Sequence, residues 1–257
     1  MGSRGSSGNH FGARGFGRDP MLSRFQSFAT QQDAIRYHLA NNFDWDKWNA
    51  LLSDEQHGIV SYTSYWYSRI NTALREGQTP AGNIQQMIDG ATSGLNKWAA
   101  AGDVITYRGA NLHWTANLLG GTEADLSNPA FLRSRIGRTV VDKGFMSSGT
   151  HQNSAWSADV NYKIYVNKGV SGMYVDAISA NSGEYEFLFN RDTRFKVHGI
   201  KTPFWKVAGA CGRLTRWICS ASCASAAGMP GRNRKRRNPA ERISTRFGQS
   251  CSLEMSR

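Results

Sequence analysis

Covalent bracing is scarce in this chain. It has four cysteines, Cys211, Cys219, Cys223 and Cys251, all within residues 208–257, so no disulfide framework can hold the body together. Cys219 and Cys223 are spaced C-x3-C, but no histidine follows His198. A zinc site would need two more good ligands, so incidental thiols are expected and no metal is. No run of 18 apolar residues is present, which excludes a membrane-spanning helix. The N-terminus lacks the apolar core of a secretory signal peptide, so Sec-type export is not indicated. No Gly-x-Gly-x-x-Gly follows a strand-like run, which argues against a Rossmann dinucleotide site. No internal repeat occurs.

Charge of one sign is scarce too, but only at the ends. The net charge is +12. Residues 1–28 carry four Arg against one Asp, and residues 208–257 carry ten Lys or Arg against two Glu. Residues 29–207 are left within one charge of neutral. A basic nucleic-acid-binding body is therefore not expected, and the Arg232–Arg237 run is read as a solvated tail rather than an RNA site. Hydrophobic residues make up 40% of the chain, enough for a real core.

The chain divides into three stretches. Residues 1–28, rich in Gly, Ser and Arg, read as a flexible leader. Met1-Gly2-Ser3-Arg4-Gly5-Ser6 fits an N-myristoylation pattern, which would add peripheral membrane contact, although a plain leader is the better-supported reading. Residues 29–205 read as one domain, and residues 206–257 as a basic, disordered tail. Within the domain, residues 30–100 are helical in pattern. One helix runs from the capping acids Asp54 and Glu55 to Leu74, and another covers about Ile84 to Trp98. Short strand-like runs follow at Val104–Arg108, Thr139–Val141, Gly144–Ser148, Tyr162–Val166, Gly172–Ile178, Tyr185–Phe189 and Arg194–Val197. Helices followed by short strands predict an α+β fold with two small packed, mainly antiparallel β-sheets.

Three elements carry chemistry. Glu184 and Glu186 flank Tyr185; on one strand their side chains would share a face about 7 Å apart. A carboxylate pair of this kind suits a sugar carbon that develops positive charge. Arg108, ending a β-run before Gly109, can present a rigid fork to a phosphate. Phe145-Met146-Ser147-Ser148 leads a strand into hydroxyls that can orient a carboxylate or a ribose. Each alone reads as ordinary surface chemistry. In this order and spacing they resemble the R-S-E class of mono-ADP-ribosyltransferases. Tyr62, Tyr67 and Asn71, followed by Leu74-Arg75, are similar to the helix that flanks the NAD cleft in that family. With its leader, the chain most resembles type III effectors of plant-pathogenic bacteria, of the Xanthomonas outer protein AI type.

The resemblance implies NAD as substrate and an arginine of a host protein as acceptor, with the chain delivered into a host cell. It implies that Arg108 and Gly109 hold the NAD phosphates and that Tyr67, Asn71, Ser147 and Ser148 line the cofactor site. Ser147 would position Glu186, Glu186 would stabilise the oxocarbenium ion, and Glu184 would act on the acceptor. Residues 179–183 would meet the protein substrate. Two features depart from the family. The hydroxyl motif, usually Ser-Thr-Ser, is here Ser147-Ser148-Gly149, which leaves open a catalytically degenerate relative that acts by binding a host protein. The family's closing strand is not visible after Val207, which suggests a shifted reading frame in the tail.

Overall fold

A computed structural model describes residues 22–155, 158–201 and 251–256. The myristoylation pattern at Gly2, the Cys219–Cys223 pair and the Arg232–Arg237 run lie outside the described residues.

Local signals start the helices. Thr30 caps α1 (Gln31–Asn41) by accepting from the Asp33 N–H, and Asp44 caps α2 (Trp45–Asn49) through the Lys47 N–H. α3 (Ser53–Ser61) opens with the Leu52 N–H donating to Glu55 at 2.9 Å. α4 (Tyr67–Glu76) ends at Gly77 in the left-handed region, and α5 is Gly82–Asn96. α3 and α5 cross at contact distance because two glycines face the crossing. A Cβ on Gly58 would sit 2.4 Å from the Ala91 nitrogen, and one on Gly90 would sit 2.1 Å from the Asp54 oxygen.

The helix expected to run unbroken from Ser53 to Leu74 is interrupted. Tyr62–Trp66 form a π turn in which Ser64 leaves helical geometry (φ −99, ψ −153). The wider turn lets the consecutive residues Tyr62 and Thr63 both be buried, while Tyr65 stays 75% exposed. A 3.6-residue pattern cannot report such an insertion.

The strands are β1 (Val104–Ala110), β2 (Thr139–Asp142), β3 (Met146–Gly149), β4 (Val160–Val166), β5 (Gly172–Tyr174), β6 (Glu186–Phe189), β7 (Thr193–Lys201) and β8 (Cys251–Ser256). Two short helices, α6 (Leu112–Leu119) and α7 (Pro129–Arg135), join β1 to β2. The expectation of two separate sheets is corrected: the strands form one eight-stranded sheet in the order β2-β7-β8-β4-β1-β3-β6-β5. The join is narrow. β1 pairs with β3 only at Tyr107 opposite Gly149, whereas β1 and β4 pair along seven positions from Val104 opposite Val166 to Ala110 opposite Val160. Sequence pattern gives strand existence but not this bridging pair. All described strand pairs are antiparallel except β7 with β8.

Two further boundaries move. Residues 22–28, read as the end of the leader, lie on the sheet: the Gln26 N–H donates to Asp103 O, the Ile105 N–H donates to Gln26 O, and Phe25 packs with Ile105 and Tyr165. The missing closing strand is β8, inside the stretch read as a disordered tail. Cys251, Leu253 and Met255 are buried between β4 and β7, so Cys251 is a core residue and not an incidental thiol.

The pleat sorts two cores. Val104, Tyr162, Ile164, Val166, Leu253, Met255, Phe195 and Val197 share one core with α6 and α7. Ile59, Ile70, Ile88 and Leu95 of the helical layer form the other with Phe145, Met173 and Leu188. β6 runs between them, with Phe187 and Phe189 in the first core and Leu188 in the second.

Candidate active site

Where the two cores meet, a cleft of roughly 1040 Å³ opens between α4, α6 and the ends of β1, β3 and β6. Arg108, Gly109, Ser147, Glu184, Glu186, Tyr67 and Asn71 all line it. Seven of the eight residues given a catalytic or cofactor-site role from sequence therefore line one cleft. Ser148 does not line the cleft. The pleat that turns Ser147 inward turns Ser148 away, and its hydroxyl donates to Phe187 O at 3.2 Å in the buried interior.

The two carboxylates differ sharply. Glu186 opens β6 and is 5% exposed. Burial pushes its carboxyl up to about 7, helped by the charges of Glu184 and Asp176; the Ser147 hydrogen bond and the Arg108 charge oppose the rise. Glu184 is not on the strand. It sits in a turn between Gly183 and Tyr185, and partial burial, then Asp176, raises its carboxyl. The strand expected to begin at Tyr185 fails there because Tyr185 takes φ 53, a left-handed conformation that side chains rarely adopt.

Arg108 donates from Nη1 to Ser147 O. Its Nε is buried and has no partner among the described residues. An unpaired guanidinium N–H at a cleft wall is costly unless a ligand completes it, and a phosphate oxygen would do so. The Arg108 guanidinium also lies 5.1 Å from the centroid of the Trp114 ring, and Arg75 lies 5.7 Å from the same ring. The unpartnered Arg108 Nε thus fits an anionic ligand.

The helical wall is built differently. The Tyr62 hydroxyl donates to Phe145 O at 3.1 Å and accepts from Asn71 Nδ2 at 3.0 Å, and Asn71 Oδ1 accepts the Phe145 N–H at 2.9 Å. Burial pushes the Tyr62 phenol up to about 12, so it remains a donor. Arg75 forks onto Asp142 with two bonds of 2.8 Å and reaches Phe145 O at 3.1 Å. Sequence alone reveals neither Asp142 nor Trp114, and it gives Arg75 no role. The Arg75–Asp142 pair spans 67 positions, and no local signal links them. Trp114 has one weak signal, Asn111 three residues earlier, which caps α6 by accepting the Trp114 N–H at 2.8 Å.

A family model described as ADP-ribosyltransferase exoenzyme matches residues 40–206. The chain belongs to this family. It is 36% identical over 152 residues to the NAD(+)–protein-arginine ADP-ribosyltransferase Tre1 of Serratia proteamaculans, covering 58% of this chain and 30% of Tre1. It is 30% identical over 161 residues to the NAD(+)–arginine ADP-ribosyltransferase EFV of Enterococcus faecalis, covering 60% of this chain and 31% of that one. It therefore spans less than a third of either relative. Among solved structures, the fold is similar to that of the C3 exoenzyme of Clostridium limosum, with a TM-score of 0.56 and 19% identity over 67% of this chain and 87% of that one. The matched span of the family model holds every residue of the cleft named above.

Proposed function

We propose that this family member transfers ADP-ribose from NAD to an arginine of a host protein. The observation that carries this reading is the buried Glu186 carboxyl, which shares one cleft wall with Ser147 and the Arg108 guanidinium, both of which favour its ionised form. Arg108 holds the diphosphate through its fork, including the Nε that lacks a partner among the described residues. Ionised Glu186 stabilises the positive charge that develops on the ribose as nicotinamide leaves. Glu184, on the turn at the cleft mouth, takes up the proton of the incoming guanidinium, whose pKa above about 12 makes it a poor nucleophile unaided. Atoms balance: the bond from ribose to nicotinamide breaks, the bond from ribose to the guanidino nitrogen forms, and one proton goes to Glu184. The names of Tre1 and EFV, each an arginine ADP-ribosyltransferase, support arginine as the acceptor.

The glycine at 149 has a packing reason. Its backbone pairs with both Tyr107 and Glu186, and a Cβ there would lie 2.7 Å from Ser154 Cβ. A side chain at 149 would push the Ser154 turn away, while Ser147 lines the cleft beside Glu186 and favours its ionised form. Delivery as a secreted bacterial effector, of the kind found in plant pathogens, is part of the same proposal. Labelled NAD incubated with host-cell extract tests it. Label should appear in protein with the natural chain and vanish with Glu186→Ala. No transfer and no NAD binding at high protein concentration would leave only a host-protein-binding role.

A further inference from the structure

Asp176 follows β5, and none of the roles above uses it. Its Oδ1 accepts two backbone N–H groups, from Gly183 at 2.9 Å and from Tyr185 at 2.8 Å. Those two residues are left-handed, Gly183 at φ 93 and Tyr185 at φ 53. Turns of this kind aim nearby amides at one point and form a concavity that binds an anion. Here the anion is a side chain of the protein itself. Tyr185, with its Cβ, is unfavourable in this region, so something must hold it there. Glu184 is the residue between the two captured amides.

The outside of the turn is fastened as well. The Thr150 N–H and hydroxyl both donate to Tyr185 O at 3.0 Å. Further along, Thr63 Oγ1 accepts the Ala180 N–H at 3.0 Å, and Thr63 O accepts from Asn181 Nδ2 at 2.9 Å. Thr63 reaches the loop from the π turn, so the helix irregularity and the loop share one fastening. Among the described residues, only Asp176 holds the amides on both sides of Glu184. Were Tyr185 to relax to extended geometry, β6 would lengthen by its ordinary pleat and Glu184 would turn with it.

We propose that Asp176 is the positioning residue that aims the Glu184 carboxylate at the acceptor, so that it governs transfer to a guanidino group over loss of ADP-ribose to water. This rests on the transferase reading above. Asp176→Ala and Asp176→Asn separate the possibilities, because an asparagine oxygen still accepts both amides. Each variant is assayed for NAD hydrolysis and for transfer to L-arginine methyl ester, and amide hydrogen exchange is followed at Gly183 and Tyr185. Asp176→Ala should lose transfer by at least about tenfold while hydrolysis stays within about threefold, and both amides should exchange about tenfold faster or more. Asp176→Asn should restore transfer to within about threefold of the natural protein. Equal loss of transfer and hydrolysis in Asp176→Ala, no loss at all, or no rescue by Asp176→Asn would each overturn the proposal. If the natural protein consumes no NAD, the transferase reading fails, and the hold on the turn is then judged by exchange alone: unchanged exchange in Asp176→Ala overturns it.

Discussion

The two walls of the cleft use polar side chains in opposite ways. On the helical wall, Tyr62, Asn71 and Arg75 spend their hydrogen bonds on one another, on the Phe145 backbone and on Asp142. On the strand wall, Arg108 keeps a buried Nε without a partner among the described residues, and Glu186 carries a carboxyl raised to about 7. Satisfied groups hold a shape, and strained or unsatisfied ones have something to gain from a ligand. Under the proposed function, the difference would make the helical motif framework and the strand motif chemistry, although both line the same space.

The largest test of that contrast is Glu186→Gln. It should lower NAD hydrolysis and transfer together by about 10³-fold with the fold intact, read from NAD consumption and thermal melting in parallel. Next comes Asn71→Ala, which strips partners from Tyr62 and from the Phe145 N–H in the interior. It should cost about 2–4 kcal/mol of stability, while turnover per folded molecule changes far less than in Glu186→Gln. An Asn71→Ala protein that melts normally yet consumes no NAD would move the helical wall into the chemistry and break the comparison.

Proton linkage gives a third test. The Glu186 pKa is raised from 4.5 to about 7 in the folded chain. Between those values the folded state binds more protons than the unfolded state, so this group's contribution to stability is present at low pH and is lost as pH rises through about 7. Glu186→Gln should therefore stabilise the protein above neutral pH by on the order of 3 kcal/mol at most, and should flatten the pH dependence of melting across that window. Under the proposed mechanism catalysis runs the other way: turnover would use the ionised carboxylate and should rise across the same range. The smallest effect is expected from Ser147→Ala. Its hydrogen bond lowers the Glu186 pKa, so removing it should move the midpoint of the activity rise to higher pH; a move to lower pH would mean that Ser147 does not serve the carboxylate.

The strand wall is legible in sequence because its parts are short and local. Tyr107-Arg108-Gly109, Phe145-Met146-Ser147 and Glu184-Tyr185-Glu186 each put a functional residue at the end of a β-type run. Spacing along the chain says nothing about what the helical residues touch: Asn71 lines the cleft as expected, but its bond to the Phe145 N–H, 74 positions away, leaves no local signal. Ser148 is misplaced by sequence because the pleat, not adjacency, decides which hydroxyl faces the cleft. Asp176 is invisible there because its partners are backbone amides, which leave no trace in side-chain identity. The single sheet escapes for a related reason: one pairing at Tyr107 and Gly149 joins its halves.

β8 has a different kind of consequence. It lies inside the sheet, parallel to β7 and antiparallel to β4, and it buries Cys251, Leu253 and Met255. The strand that carries Arg108 is backed by β4, and β4 is backed by β8. Both edges of β8 are engaged, one by each neighbouring strand. A fragment ending at Lys201 should therefore leave β4 and β7 with unpaired edges facing a gap one strand wide.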